Sequence, residues 1–398
     1  HTALTGADRS ALFDYFIATT SAEARKIRQE LRIARATWNQ QMDVLPTVSI
    51  MRELPEPKPA FVLDRGAYDA LGEPVIADTP TALPGFPADQ PRNRLGLVNW
   101  LFQPDHPLTA RVAVNRYWQL MFGKGIVRTP EDFGSQGQPP THPELLDWLS
   151  RDFVSSGWDL KNLLRQMALS ATYRQSTVID AGTREKDPEN VTFCRSQPKR
   201  LQAEMIRDNA LAVSGLLVDK VGGPPAHPYE LAVGFEPIEP DAGDGVYRRS
   251  IYTRTKRNSP APVMVAFDAP KRDICTVQRA EVASPLQPLI TLNGPQFVEA
   301  SRVLAQELLS SIEGTPTKVI NEAFYRLTSR KPDAEELALM TSLYDVQLAE
   351  FSGSPEQADA LLSIGHAPVP DHLATDRLAA ATIVVNALMN LHESLTHR

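Results

Sequence analysis

Between Arg94 and about Ser176, apolar residues recur at steps of three and four in three successive runs. Each run is bracketed by residues that start and stop helices, so this part of the chain packs helix on helix. The first run opens at Asp105 and Pro107, carries Val114, Trp118, Met121 and Phe122, and closes at Gly123 and Gly125. The second begins with a capping-box pattern, Thr141 and Glu144 around His142 and Pro143. It turns Leu145, Trp148, Leu149 and Phe153 inward and ends at Gly157. The third carries Leu160, Leu163, Leu164 and Met167. The connection IVRTPEDFGSQGQPP between the first two runs is rich in glycine and proline and holds Glu131 and Asp132, which makes it a candidate functional loop.

The flanks follow the same logic. In residues 8–44, Ile27, Leu31, Ala34, Trp38 and Met42 form one apolar stripe among Arg, Lys and Glu, predicting a helical arm or hairpin. Such a stripe packs on its own protein or binds a partner. From Pro46 to Pro91 there are nine prolines, an extended strap with enough apolar residues to lie along a helical surface. A helix is expected over 198–218, where Glu204, Arg207 and Asp208 sit among apolar positions as an internal ion-pair lattice. Past residue 312 helices return. Val319, Ile320, Ala323, Phe324 and Leu327 line one, and Asp333 and Glu336 cap the next, which carries Leu337, Met340, Tyr344 and Leu348. An alanine-rich helix spans about 373–391.

The stretch from Tyr247 to Leu304 concentrates charge and a thiol. Ile251, Thr253 and Thr255 alternate with Tyr252, Arg254 and Lys256, the period of a half-buried strand with a basic outer face. After Pro260 and Pro262, Val263, Val265 and Phe267 alternate again, so a small β-ribbon is expected across 247–280. Ser284, Pro285 and Gln287 read as a capping box that opens a helix with Leu286, Leu289 and Ile290 on one face. Asn293, Gly294 and Pro295 then start another, with Phe297, Ser301, Leu304 and Leu308 on one side. Five basic residues, Arg248, Arg249, Arg254, Lys256 and Arg257, fall within ten positions. They are suited to an anionic polymer or an acidic partner, or to pairing with Asp268 and Asp273 and with the preceding Glu236, Glu239, Asp241 and Asp244. Arg272 and Arg279 flank Cys275, a setting that lowers a thiol's pKa, although a buried structural thiol is the simpler expectation.

The run FDAPKRDICTVQR (267–279), followed by SPLQPLITLNGPQFVEASR (284–302), resembles the PSD-one domain of unknown function. That family comprises large planctomycete proteins in which this domain lies downstream of cytochrome-c-like modules. Two further blocks carry the resemblance in the same order. One runs from His106 to Ser176, HPLTARVAVNRYWQLMFGKG through NLLRQMALSATYRQS, and the other is KRLQAEMIRDNALAVSGLL (199–217). The resemblance implies an exported, extracytoplasmic setting in the periplasm or cell envelope, and a chain that is the C-terminal piece of a longer precursor. It also implies a cytochrome-c-like partner or upstream region that carries any haem. His392 stands where the family often has an acidic residue.

Other classes find less support. A net charge of -7 argues against a general nucleic-acid binder. The two cysteines, Cys194 and Cys275, sit in no CxxCH, so covalent haem on this chain is not expected, and the eight scattered histidines form no ligand spacing, so no metal is expected. There is no GxSxG, Walker or GxGxxG motif, and no apolar run of the roughly 18 residues a spanning helix needs. The start lacks the basic and apolar segments of an export signal.

The fold expected is mainly α, a multi-helix body with one small β-ribbon and a long proline-rich surface strap. The parts are a helical arm (1–45), the strap (46–92), a helical block (93–220), a loop and β-ribbon insertion (221–283) and a C-terminal helical block (284–398). Candidate binding residues are Arg248, Arg249, Tyr252, Arg254, Lys256, Arg257, Asp268, Arg272, Asp273, Cys275 and Arg279. The expected function is a non-catalytic extracytoplasmic module that positions a cytochrome-c-like partner or a macromolecular substrate such as an anionic polysaccharide. The alternatives are a glycan-acting enzyme, with its site between the 128–140 loop and the 247–280 ribbon, and a structural cell-envelope component.

Overall fold

The computed structural model describes residues 5–45, 47–228, 240–256 and 260–397. The chain divides into two compact units, residues 1–100 and 101–398. The first begins with a helical pair, α1 (Gly6–Thr19) and α2 (Ala22–Val44). Thr5 and Asp8 close a capping box on α1, and the Ser21 side chain caps α2 by accepting from the Ala24 N–H. No residue of either helix is buried. The proline-rich segment contains a small antiparallel ribbon, β1 (Ala60–Leu63) with β2 (Leu71–Val75). Its turn uses Arg65 and Gly66 at φ 49° and 76°. In α3 (Arg94–Leu101), Trp100 is buried and donates its indole N–H to the Pro84 carbonyl at 2.7 Å.

The second unit is helical, with two apolar cores. The smaller gathers α4 (Thr109–Phe122), α5 (Pro143–Ser155) and α6 (Leu160–Leu169) around Val114, Trp118, Leu149, Phe153, Leu163 and Met167. Gly123 ends α4 at φ 84°, as its place after the apolar run predicts. In α5 the apolar face is rotated from the expected one. Leu146 is buried and Trp148 is exposed, and the Thr141 hydroxyl donates to the Ile126 carbonyl at 3.2 Å instead of capping. A short α7 (Ala181–Lys186) leads to Phe193, which joins this core.

The larger core is built by α8 (Ala203–Val213), α9 (Pro262–Ala266), α10 (Leu286–Asn293), α11 (Pro295–Ser311), α12 (Pro316–Thr328), α13 (Ala334–Gly353), α14 (Pro355–Leu362) and α15 (Thr375–Met389). The expected faces of α11 and α12 are the buried ones, and Asp333 and Glu336 form their capping box on α13. A two-residue pairing of β3 (Lys199–Arg200) with β4 (Thr396–His397) ties the end of the chain to the start of α8.

The chain is thus mainly α with small β-ribbons, but among the described residues of 247–280 no ribbon forms. Residues 243–247 and 250–252 form 3₁₀ turns, Arg248 and Thr253 after them make isolated parallel bridges to Val218 and Ala226, and 262–266 is the one-turn α9. The reason is where the backbone polar groups go. The Val246 and Arg248 carbonyls accept from the Arg207 guanidinium, each at 2.8 Å. The Ser250 N–H and hydroxyl both donate to Asp208 at 2.8 and 2.7 Å. Side chains of α8 therefore take the groups a second strand would have taken. Alternation fails with it: Ile251, expected inside, is 77% exposed, while Arg248 is buried. In α9, Pro262 opens the turn, and Val263 and Phe267 are buried one helical turn apart.

Candidate functional site

The run FDAPKRDICTVQR (267–279) forms a loop pinned at its neck. Helix α9 ends in a Schellman motif, with the Ala269 N–H donating to the Met264 carbonyl (2.8 Å) and the Asp268 N–H to that of Val265 (3.3 Å). This puts Asp268 at φ 60°, where aspartate is among the few side chains tolerated. Its carboxylate then accepts from the Val282 N–H at 2.9 Å and from Arg200 at 2.6 Å. Arg200 also donates to the Val282 carbonyl (2.5 Å), which Gln287 shares with the Ala266 carbonyl (2.6 and 2.9 Å). Gln287 thus clamps the loop instead of completing the expected capping box. The chain leaves at 268 and returns at 282, an Ω-loop whose residues 271–278 are all exposed.

Three cavities meet around this loop, and Arg279 lines all of them. The largest, about 580 Å³, has a floor of Ala261, Met264 and Val265 and a wall of Lys271, Arg272, Thr276 and Arg279. Arg254 and Glu204 complete its charged rim. The second, about 490 Å³, continues past Thr276 and Gln278 to Arg116, Tyr117 and Lys199. The third, about 530 Å³, runs on to Lys124. Shared lining residues make them one elongated groove.

Charges within it are unequally matched. Arg279 grips Glu204 with two hydrogen bonds, 2.6 and 3.1 Å, and Arg200 grips Asp268. Lys271 and Arg272 have no ion-pair partner among the described residues, and Arg254 approaches only His227, at 3.2 Å. Burial pulls the Lys199 ammonium below its ordinary pKa, and its charge is spent on the Leu120 carbonyl at 2.9 Å. Burial alone would raise Glu204 and Asp268. The hydrogen bonds to Glu204 from Arg279, and to Asp268 from Arg200 and the Val282 N–H, outweigh it and hold both carboxyls below the usual range.

A depressed carboxylate pKa means that the loop's attachment is complete above the unfolded value of about 4 and is lost as pH falls through the lower folded value. Cleavage of residues 269–281 by an acid-tolerant protease is therefore expected to be flat from neutral pH down to about 5 and to rise below about 4. A flat profile down to full acidity would show that neither carboxylate holds the loop.

The remaining candidates fall into two groups. Arg254, Asp268, Arg272 and Arg279 come together in the groove. Arg248 does not: its guanidinium lies 4.6 Å over the Tyr252 ring and donates to the carbonyls of Lys220, Gly222 and Pro224, at 3.1 Å to Lys220 and 2.9 Å to Pro224. It and Tyr252 are therefore structural, not an exposed basic face. Arg249 pairs with Asp219 at 3.3 Å. Lys256 is half-buried, Arg257 lies outside the described residues, and so do Glu236 and Glu239. Asp241 accepts from the His227 N–H at 2.8 Å, not from an arginine. Asp273 accepts from the Ile274 N–H at 3.0 Å beside Cys275, which is exposed at the loop tip and so is not the buried thiol expected.

Sequence reasoning passed over Lys271, although it sits inside the motif, and gave no signal for Arg116 or Lys199, which other elements bring in. None of these three cavities includes a residue of the 128–140 connection among the described residues. Among the described residues no three His, Cys, Asp or Glu side chains gather as metal ligands do, and no helix is long and apolar enough to cross a membrane. Comparison with curated proteins and with solved structures finds no match. The family model described as PSD1, a protein of unknown function (DUF1553), matches residues 93–344, which span the smaller core, the Ω-loop and its groove, and the chain belongs to that family.

Proposed function

We propose that the chain is a non-catalytic binding module that holds an acidic polysaccharide along the groove around the Ω-loop, in an extracytoplasmic setting. The observation that carries this reading is the set of unmatched cations Arg254, Lys271 and Arg272 beside exposed Thr276, in a groove that runs on through two more cavities. An extended polyanion uses such length, and guanidinium and ammonium groups spaced along it take carboxylate or sulfate groups with their hydroxyl neighbours. A binding role is favoured over catalysis because both carboxylates in the largest cavity, Glu204 and Asp268, are held ionised by arginines, which leaves neither as a proton donor near neutral pH. A cytochrome-c-like partner, which the sequence resemblance implies, would be the one to which the bound polymer is presented.

Retention on heparin resin is expected at low salt and to weaken steadily as salt rises, because the contacts are between exposed charges. Arg254→Gln with Lys271→Gln and Arg272→Gln is expected to weaken affinity at least roughly tenfold while shifting the unfolding midpoint little, since none of the three is in an ion pair among the described residues. Equal retention of the two proteins across the salt range would sink the reading.

A further inference from the structure

We propose that α2 pairs this chain with a second copy of itself as a parallel two-stranded coiled coil. The helix spans 23 residues, and nothing in the described residues of its own unit buries its apolar stripe: Ile27, Leu31, Trp38 and Met42 are 57%, 48%, 60% and 40% exposed. The helix is capped by Ser21 and buries no residue, so its apolar face contributes nothing to its stability until something covers it. A face that carries a tryptophan and two large aliphatics gains most by burial against a like face.

The heptad register says which occupant fits. With Ile27, Ala34 and Gln41 at d, the a positions are Ala24, Leu31 and Trp38, so the seam carries large apolar residues at 27, 31 and 38, alanines at 24 and 34 and a polar end at Gln41, while Met42 falls beside it at e. The g positions on one side of it are Glu23 and Glu30, and the e positions on the other are Arg28 and Arg35. In a parallel, in-register pair each g residue faces the e residue five positions on in the other copy. Glu23 then meets Arg28 and Glu30 meets Arg35, twice each by symmetry. An antiparallel pair would set arginines against arginines and glutamates against glutamates. None of these four side chains is in an ion pair within the described residues; Arg28 donates only to the Ala18 carbonyl, at 3.1 Å. The helix thus carries both halves of its own charge code, which a different partner would have to supply.

Sedimentation of the full chain from low micromolar to near-millimolar concentration tests this. The wild type is expected to pass from monomer to dimer over that range, and Leu31→Lys with Trp38→Lys to remain monomeric with unchanged helix content. Glu23→Arg with Glu30→Arg, and separately Arg28→Glu with Arg35→Glu, are expected each to raise the dimer Kd roughly tenfold or more, and mixing the two variants to restore it. Orientation is read from Ala24→Cys in a chain with Cys194 and Cys275 replaced by serine, which oxidises to a covalent dimer only when the two amino-terminal ends lie together. A chain that stays monomeric throughout, a dimer indifferent to the charge swaps, or failure of the cysteine to cross-link a dimer that forms, would each overturn the proposal.

Discussion

Replacing Arg207 with alanine is expected to cost roughly 3–5 kcal/mol, among the largest losses any single substitution will cause in this chain. Its side chain is 1% exposed and donates to the Val246 and Arg248 carbonyls at 2.8 Å, Gln296 at 2.9 Å, the Ser250 hydroxyl at 3.2 Å and Asp208 at 3.4 Å. Those carbonyls belong to a segment with no sheet partner, so without the guanidinium they stay unsatisfied in the interior. Asp208 would lose a neighbouring cation at 3.4 Å as well. Arg207→Met keeps the apolar stem and isolates the polar part of the loss, which should account for most of it. Arg207→Lys should fall between, because one ammonium cannot reach donors spread across a planar fork. Urea unfolding, read as midpoint shift at constant m-value, measures all three. A loss below about 1 kcal/mol for Arg207→Met would mean that water replaces the guanidinium and that the segment is not held from α8.

The same residue shows what the sequence could and could not disclose. Helices α11, α12 and α15 were legible because their periodicity is set by burial against neighbours of the same kind, and caps such as Asp333 with Glu336 act over three residues of chain. The segment after Tyr247 was misread for the opposite reason. Alternation reports a strand only if the backbone pairs with another strand, and here the pairing groups are side chains some forty residues away, a relation that no local pattern carries. Basic residues mislead in the same way. Arg248 and Arg254 look alike in sequence, yet one is consumed by three carbonyls and the other stands at the groove's rim. The groove was half legible. Its loop motif drew attention to Arg272 and Arg279, whereas Arg116 and Lys199 are brought to it by α4 and β3 from distant parts of the chain.

Glu299→Ala is expected to destabilise the chain by a similar amount, roughly 3–5 kcal/mol, and for a related reason. Glu299 is 3% exposed on α11, and one carboxylate oxygen accepts from the His366 N–H at 2.6 Å, the Ala367 N–H at 2.7 Å and the Tyr247 hydroxyl at 2.7 Å. One turn on, Arg302 is 1% exposed and donates to the carbonyls of Ala367 and Pro368 at 2.7 and 3.3 Å. Two buried charges of opposite sign thus grip the same stretch of chain, the carboxylate by its N–H groups and the guanidinium by its carbonyls. The fit is close: Gly365 has φ 97°, and a side chain there would come within 2.3 Å of the carboxyl carbon. Removing Glu299 orphans two N–H groups and leaves the Arg302 charge, 4.0 Å away, without its counter-ion. Removing both charges at once, as Glu299→Leu with Arg302→Leu, should cost less than the sum of the single losses, a coupling of about 1–3 kcal/mol in a double-mutant cycle. Tyr247→Phe should cost only about 0.5–1.5 kcal/mol, because the carboxylate keeps its other two donors. Burial, and then the bond to Glu299, push the Tyr247 phenol well above its ordinary pKa. Its stabilising effect is therefore complete below about 10 and fades only as pH climbs above that, so the Tyr247→Phe difference should be constant from neutral pH up to about 9. Strictly additive losses for Glu299 and Arg302 would show that the two side chains hold the 365–368 stretch independently.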